Sequence, residues 1–278
     1  MRNVAEVQEV EGASVTAMKI GMRQSSLSGS VAEQRVQRRL TREAPGLEAL
    51  CQRIIACRQC PRLVRHRERT AQEKVRRYRD WTYWGRPVPG FGDPAARLLV
   101  VGLAPAAHGG NRTGRIFTGD RSGDFLYRAL HRAGFANQPT SIDRDDGLDL
   151  TDCYITAAVR CAPPDNKPTP HELDRCRPFL LEELTLLRQI RVIVALGQIA
   201  FRACLDTLKA RGVPLPSPRP RFGHGQVAVF ANDLVLVASY HPSQQNTQTG
   251  RLTEAMFQQV FDVARRYLDA NSGQSTTG

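Results

Sequence analysis

The sequence has no stretch of about 18 or more consecutive apolar residues, so it lacks a transmembrane helix. Residues 1–30 carry neither the basic start nor the continuous apolar stretch of a secretory signal peptide. We therefore expect a cytoplasmic protein without a membrane partner. Hydrophobic residues make up 41% and charged residues 24% of the chain, which is typical of a soluble globular protein and not of a disordered or fibrous one.

Several common catalytic signatures are also missing. GGNRTGR at 109–115 has glycines but not the G-K-[ST] ending of a phosphate loop, HELDR at 171–175 is not H-E-x-x-H, and G-x-S-x-G does not occur. The acidic segment DRDDGLDL at 143–150 lacks the spacing and the final Glu of a calcium loop, so we interpret it as a solvated loop. A nucleotide-processing hydrolase, which would need a phosphate loop, is therefore disfavoured.

Positive charge is in excess. Lys and Arg number 39 against 27 Asp and Glu, which gives a formal net charge of +12. Such an excess favours a polyanionic partner, and nucleic acid is the first candidate. A basic enzyme without such a partner is the alternative, because net charge reports non-specific attraction and not fold.

The seven cysteines are better explained by ligation or burial than by disulfides, since we expect a reducing compartment. Cys57 and Cys60 form a C-x2-C pair, and Cys161 and Cys176 are separated by fourteen residues. Four thiolates can bind zinc or a [4Fe-4S] cluster, and the spacing does not distinguish the two. The other three cysteines lie on apolar faces of predicted elements and are expected to be small buried hydrophobes: Cys51, Cys153 and Cys204.

The chain divides into two polar ends and one long patterned region. Residues 1–45 and 271–278 are expected to be a disordered extension and a flexible tail, and residues 46–270 to be one folded domain. Apolar residues at helical spacing predict a helix over 46–70. Beyond it, four apolar strands alternate with helices, with the strands predicted at 98–103, 152–159, 192–197 and 234–242.

This alternation predicts a three-layer α/β/α sandwich with a central, mostly parallel four-stranded sheet. Ligands of such sheets bind beyond the carboxyl ends of the strands. Three polar, Gly-rich or Pro-rich segments follow predicted strands there, at 102–120, 157–170 and 239–251. The sequence therefore predicts a single active site built from these three segments.

Those segments resemble a known enzyme family. GLAPAAHGGNRTGRIFTGD at 102–120, VRCAPPDNKPTP at 159–170 and SYHPSQQNTQTGRLT at 239–253 closely resemble the motifs of the family 5 uracil-DNA glycosylases. The resemblance covers about residues 50–268. It implies a monofunctional DNA glycosylase, monomeric and acting on uracil-containing DNA, that extrudes the base and hydrolyses its N-glycosidic bond.

The resemblance also implies ligands and base-binding residues. Cys57, Cys60, Cys161 and Cys176 would hold a [4Fe-4S] cluster. Phe117 would stack on the extruded base, although a core Phe is the alternative, and His241 would donate a hydrogen bond to the uracil O2. The other expected base contacts are Gly102, Leu103, Ala104 and Asn246.

Two departures from the family pattern are expected to affect function. Leu103 and Ala104 are apolar where several members of the superfamily orient water with a polar residue, so Asp120, or secondly Asn166, is expected to do so. Asp120 could instead only cap the following helix. Residues 154–158 lack the Asn with which family 4 members read uracil, so we expect tolerance for hypoxanthine or ethenocytosine.

Four arginines placed at the strand ends are expected to contact phosphates: Arg112, Arg115, Arg121 and Arg251. A function of another class remains open from the residues alone. The same charge and the same cysteines could belong to a non-catalytic nucleic-acid-binding protein with a structural four-cysteine zinc site. Colour distinguishes the two, because an iron–sulfur protein is brown and a zinc protein is colourless.

Overall fold

Four buried strands form the centre of the fold. The computed structural model describes residues 46–270, and the expectations for 1–45 and 271–278 lie outside them. The central strands are β2 Leu98–Gly102, β3 Cys153–Ala157, β4 Val192–Leu196 and β6 Val235–Ser239. Every residue in them is buried because helices cover both faces of the sheet, which explains their continuous apolar runs.

The sheet has six strands in the order β1-β3-β2-β4-β6-β5. The four central strands are parallel, as predicted. The two edge strands, β1 Phe91–Gly92 and β5 Val227–Val229, pair antiparallel with β3 and β6. The predicted α/β class is thus confirmed, and the predicted strand number is corrected from four to six. Strands of two and three residues are too short to show an alternating pattern.

Helices lie on both faces of this sheet. They are α1 (residues 46–55), α2 Pro61–Glu73, α3 Gly110–Thr113, α4 Arg121–Arg132, α5 Pro170–Leu186, α6 Gln198–Ala210, α7 Gln244–Gln248 and α8 Glu254–Ala270. Apolar residues of α4 and α8 join one core cluster, and those of α5 and α6 join a second. No helix within residues 46–270 has the length and apolar character needed to cross a bilayer.

The N-terminal helix differs from the prediction. One helix was expected over 46–70, but the chain forms α1 and α2 with a break at residues 56–60. Pro61 is the first residue of α2, where its missing N–H costs no hydrogen bond. The break places Cys57 and Cys60 in a connecting segment instead of on a helix.

Strand register brings the polar segments to one edge. Gly102 at the end of β2 pairs with Ala157 at the end of β3, and Leu196 of β4 pairs with Ser239 of β6. The chain therefore leaves β2, β3 and β6 at the same level. The three motif segments begin at this carboxyl edge.

Candidate active site

Phe117 lies at the centre of the carboxyl edge. Its φ of 53° is left-handed, a conformation that costs a bulky residue roughly 1–3 kcal/mol and is concentrated at functional sites. Its ring packs on Gly102, where a Cβ would lie 2.7 Å from two ring carbons. Any side chain at residue 102 would therefore displace the ring. Phe117 is 6% exposed and belongs to a core cluster, as the core alternative expects, and its stacking on an extruded base stays a prediction.

His241 follows β6 and faces Phe117. The two ring centroids are 5.8 Å apart with an interplanar angle of 31°. Burial lowers the pKa of His241 to about 4, so the imidazole is neutral at physiological pH and has one N–H to donate. Asn246 Nδ2 donates to the His241 carbonyl at 2.8 Å. Asn246 thus supports the histidine through its amide nitrogen.

Backbone amides border the same edge. The N–H groups of Ala104, Ala106 and Ala107 have no acceptor within residues 46–270. The loop that carries them is held by Asn111, whose backbone N–H donates to the Ala106 carbonyl at 3.0 Å. Leu103 and Ala104 are half-buried beside these donors. Unpaired amides at the end of a parallel strand can bind an oxyanion.

Asp120 caps α4 and also contacts the β2 loop. Its Oδ1 accepts from the Gly123 N–H at 2.9 Å, which confirms the capping role. Its Oδ2 lies against Gly109, where a Cβ would be only 2.0 Å away. Burial raises the pKa of this carboxyl group above its ordinary value. The carboxylate therefore retains an oxygen for a second partner.

Asn166 is exposed in the turn that follows β3. Its φ is 54°, a left-handed conformation that Asn tolerates better than most residues. Its side chain has no hydrogen bond to the part of the chain that the structure describes. Its role as the second water-orienting residue stays a prediction.

Four cysteines come from three segments of the chain. Cys60, Cys161 and Cys176 are buried in one cluster with Leu63, and Cys57 lies three residues before Cys60 in the segment between α1 and α2. None of the four is in a disulfide. Among residues 46–270, no group of three or more His, Cys, Asp or Glu side chains is arranged to hold a single metal ion.

The surroundings of these thiols fit a larger anionic centre. Burial raises the pKa of Cys161 to about 12 and that of Cys176 to about 11, so they become thiolates only where a metal centre stabilises them. Arg67 donates from Nη1 to Cys161 Sγ at 2.9 Å. Its Nε is buried without a partner, as is that of Arg160. The guanidinium of Arg160 is ion-paired with buried Glu183 at 2.6 Å, so Arg67 is the cation that can balance negative charge on a thiolate-ligated cluster.

The remaining cysteines behave nearly as predicted. Cys153 and Cys204 are buried, and Cys51 is half-buried. Burial raises the pKa of Cys51 to about 11. These thiols are protonated at neutral pH, as expected for small core residues.

Two of the predicted phosphate-contacting arginines point into the fold. Arg115 is 4% exposed and forms an ion pair with Asp146 at 2.8 Å. Arg112 is 3% exposed and donates to the carbonyls of His108 and Gly119 at 2.8 and 2.9 Å. Neither guanidinium faces solvent, so the structure does not support a phosphate contact for Arg112 or Arg115. The acidic segment is also not wholly solvated, since Asp146 is the buried partner.

The other two predicted arginines are exposed. Arg121 begins α4, and Arg251 lies with its guanidinium carbon 4.6 Å from the centroid of the Tyr240 ring. Sequence reasoning missed the aromatic residues Tyr78 and Trp81. Both rings contact Arg112, with guanidinium-to-centroid distances of 3.9 and 4.0 Å. The sequence feature that could have identified them is the run of aromatic and basic residues over 74–86, which matches no known motif.

The carboxyl edge of this α/β sheet combines an aromatic ring, a neutral imidazole and unpaired amides, the groups that a base-excision site requires. Residues 89–265 match the model of the uracil DNA glycosylase superfamily. A type-5 uracil-DNA glycosylase of Mycobacterium tuberculosis is 52% identical over 227 residues, which are 80% of this chain and 83% of that protein. One from Thermus thermophilus is 54% identical over 219 residues, covering 79% and 97%.

A type-4 uracil-DNA glycosylase of Pyrobaculum aerophilum is more distant, at 30% identity over 162 residues, which are 58% of this chain and 74% of that protein. The chain therefore belongs to the uracil-DNA glycosylase superfamily and, within it, to the type-5 family. Membership of an enzyme family decides against the non-catalytic zinc protein that the residues alone had left open.

Proposed function

We propose that this protein is a monofunctional glycosylase that hydrolyses the N-glycosidic bond of uracil in DNA and leaves an abasic site. One arrangement supports this function above all others. The Phe117 ring and the neutral His241 ring lie 5.8 Å apart at the carboxyl edge of the sheet. A base extruded from a duplex needs an aromatic face to stack on and polar donors along its edge, and both are present here.

Bond cleavage would depend on stabilising the departing base. Negative charge grows on the uracil oxygens as the bond to the sugar breaks. Because its pKa is about 4, the His241 imidazole is already neutral and can donate its N–H without first losing a proton. The amides of Ala104, Ala106 and Ala107 are further donors at the same edge.

Water would be oriented by Asp120. The side chains of Leu103 and Ala104 have no polar group for this task. The Asp120 oxygen that faces Gly109 is free of the helix cap, and the raised pKa makes this carboxylate a better proton acceptor than an exposed one. It would also stabilise positive charge on the sugar.

Substrate range would be broad. Residues 153–160 are all buried, and the hydroxyl of Thr156 already donates to Glu183 at 2.8 Å. This stretch therefore offers no free side-chain group to read the edge of uracil. Fewer edge contacts weaken the rejection of other bases, which supports hypoxanthine and ethenocytosine as further substrates.

A [4Fe-4S] cluster held by Cys57, Cys60, Cys161 and Cys176 would stabilise the fold. The ligands would join the segment before α2 to the loop after β3 and to α5. The hydrolysis requires no electron transfer. Brown protein containing iron and acid-labile sulfide, with the colour lost in Cys161→Ser, is the expected result, whereas colourless protein containing zinc would contradict it.

The activity is tested on duplexes that carry one uracil, hypoxanthine, ethenocytosine or thymine opposite guanine. We expect strand breaks at uracil only after alkali, because a monofunctional enzyme leaves the backbone intact. Breaks formed without alkali would contradict the monofunctional reaction. No cleavage of uracil by cluster-containing protein would contradict the function itself. Sedimentation of the protein with and without DNA tests the expected monomer.

A further inference from the structure

The chain between α2 and β1 carries a dense group of cations beside the active site. Residues 74–86 include five basic side chains and one acidic one, Asp80. Arg76, Arg77 and Arg79 are exposed and form no ion pair with any residue of the described range 46–270. Several other arginines are ion-paired, for example Arg62 with Glu172 at 2.7 Å. Exposed and unpaired guanidinium groups are available to an anionic partner.

Arg112 attaches this basic segment to the active-site loop. Its guanidinium carbon lies 3.9 Å from the centroid of the Tyr78 ring and 4.0 Å from that of Trp81. The same guanidinium donates to the carbonyl of Gly119, the residue before Asp120. Its Nη1 is buried without a hydrogen-bond partner, so the ring contacts are its main interaction there.

Backbone hydrogen bonds fix the attachment on the C-terminal side. The Trp84 N–H donates to the Arg112 carbonyl at 2.8 Å, and the Gly85 N–H donates to the Asn111 carbonyl at 3.0 Å. The hydroxyl of Tyr83 and Nδ1 of His108 are 3.1 Å apart. Burial and then the positive charges of Arg77 and Arg112 lower the pKa of His108.

We infer that Arg76, Arg77 and Arg79 form a phosphate-binding surface for the DNA strand that enters the base pocket. We call these three residues the arginine ridge. This inference rests on the proposed function, and it replaces the two buried arginines with three exposed ones. Arg112 holds the ridge in register with Phe117 and Asp120, so backbone phosphates and the extruded base would be bound by one rigid unit.

Salt dependence of binding to an undamaged duplex tests the ridge. The variant Arg76→Gln/Arg77→Gln/Arg79→Gln should lower the slope of log affinity against log salt by about 0.9 for each phosphate that is no longer bound, or up to about 2.7. The matched control is Arg188→Gln/Arg191→Gln/Arg211→Gln, which removes the same charge from exposed arginines near the amino ends of the strands. The control should keep a slope within about one of the parental value.

A third variant shows whether a lower salt slope comes from the loss of positive charge or from disturbed folding. Arg76→Lys/Arg77→Lys/Arg79→Lys keeps the charge and should keep most of the slope. An unchanged slope in the Gln ridge variant, an equal loss in the control, or an equal loss in the Lys variant would each overturn the inference. Undamaged DNA is bound without reaction, so failure to excise uracil would contradict the proposed function and leave this result standing.

Discussion

At the scale of single residues, stabilisation of the departing base depends on how far burial lowers the pKa of the His241 imidazole. A histidine with a pKa near 4 is a neutral donor, and its role would be to stabilise charge and not to transfer a proton. Removing the ring as His241→Ala should lower single-turnover cleavage of uracil by about 100-fold or more, the usual cost of an oxyanion donor. DNA affinity should change little, because the ring contacts Phe117 and not the phosphate-facing surface.

Retention of the visible absorbance of the proposed iron–sulfur cluster is the control for folding of the His241→Ala protein. Cleavage at nearly the parental rate would assign leaving-group stabilisation to the backbone amides of Ala104, Ala106 and Ala107. The assignment of His241 would then be wrong.

Asp120 has a structural role and a proposed catalytic role, and one substitution separates them. Asp120→Asn keeps the size of the side chain and an oxygen that can accept from the Gly123 N–H, so the cap of α4 persists. We expect single-turnover cleavage to fall by about 100-fold with little change in thermal stability, since only the negative charge and the proton acceptor are removed. Parental activity in this variant would show that Asp120 only caps the helix.

The location of Phe117, His241 and Asp120 at the carboxyl edge could be predicted, because each lies in a motif segment that follows a strand, while their roles stay predictions. Arg112 and Arg115 could not be placed, because charge does not reveal which way a side chain points. Arg115 is buried by a partner thirty-one residues later, Asp146, and Arg112 by aromatic rings more than thirty residues earlier. Long-range pairs of this kind leave no local periodicity in the sequence.

At the scale of elements, α2 connects the cysteine cluster with the active-site loop. Arg67 donates from its side chain to Cys161 Sγ at 2.9 Å, and its carbonyl accepts from Asn111 Nδ2 at 3.2 Å. Arg67→Met removes the cation and keeps an apolar chain of similar length. We expect retention of the proposed [4Fe-4S] cluster against a chelator to fall by about 10- to 100-fold, the usual effect of losing a partner of a metal ligand.

A control for Arg67→Met lies on the same helix. Arg65 is exposed, so Arg65→Met should leave cluster retention at the parental level. The decay of visible absorbance in the presence of chelator measures both variants without reference to cleavage. Equal retention in the two proteins would show that Arg67 does not stabilise the cluster.

The central elements were predictable and the short ones were not. Each parallel strand is a run of five buried residues bounded by polar loops, which is a strong pattern. Two features escaped it for physical reasons. The break between α1 and α2 interrupts apolar residues at helical spacing, and only Pro61 marks it. Strand β1 has only two residues, and it is defined by its pairing with β3 and not by a pattern of its own.

At the scale of the whole molecule, the net charge of +12 overstates what faces a ligand. Four arginines of the described chain are buried, namely Arg67, Arg112, Arg115 and Arg160. They neutralise internal carboxylates, stack on aromatic rings or surround thiols. The sign of the partner could therefore be predicted from composition, but the location of the binding surface required the fold.

Histidines whose pKa is lowered by partial burial also affect how the stability of the whole molecule responds to acid. Burial lowers the pKa values of His241, His108 and His224 below the ordinary value near 6.5. As the pH falls, these histidines take up protons in the unfolded chain before they do so in the folded protein. Their contribution to the unfolding free energy is therefore fully present above about pH 6.5 and is lost as the pH falls toward the folded-state pKa values. Asp120 acts in the opposite direction, because its folded-state pKa is raised.

The variant His241→Gln isolates one contribution to this loss, because glutamine is polar but does not titrate. With a folded-state pKa of about 4, His241 should account for up to about 2 kcal/mol of the unfolding free energy lost between pH 7.5 and pH 5. Urea unfolding at both pH values should therefore show a smaller acid loss for the variant than for the parental protein. His108, His224 and Asp120 are unchanged in both, so they cancel in the comparison. Equal acid losses would mean that His241 takes up its proton in the folded state near its ordinary pKa, and the neutral donor required for leaving-group stabilisation would be absent below neutral pH.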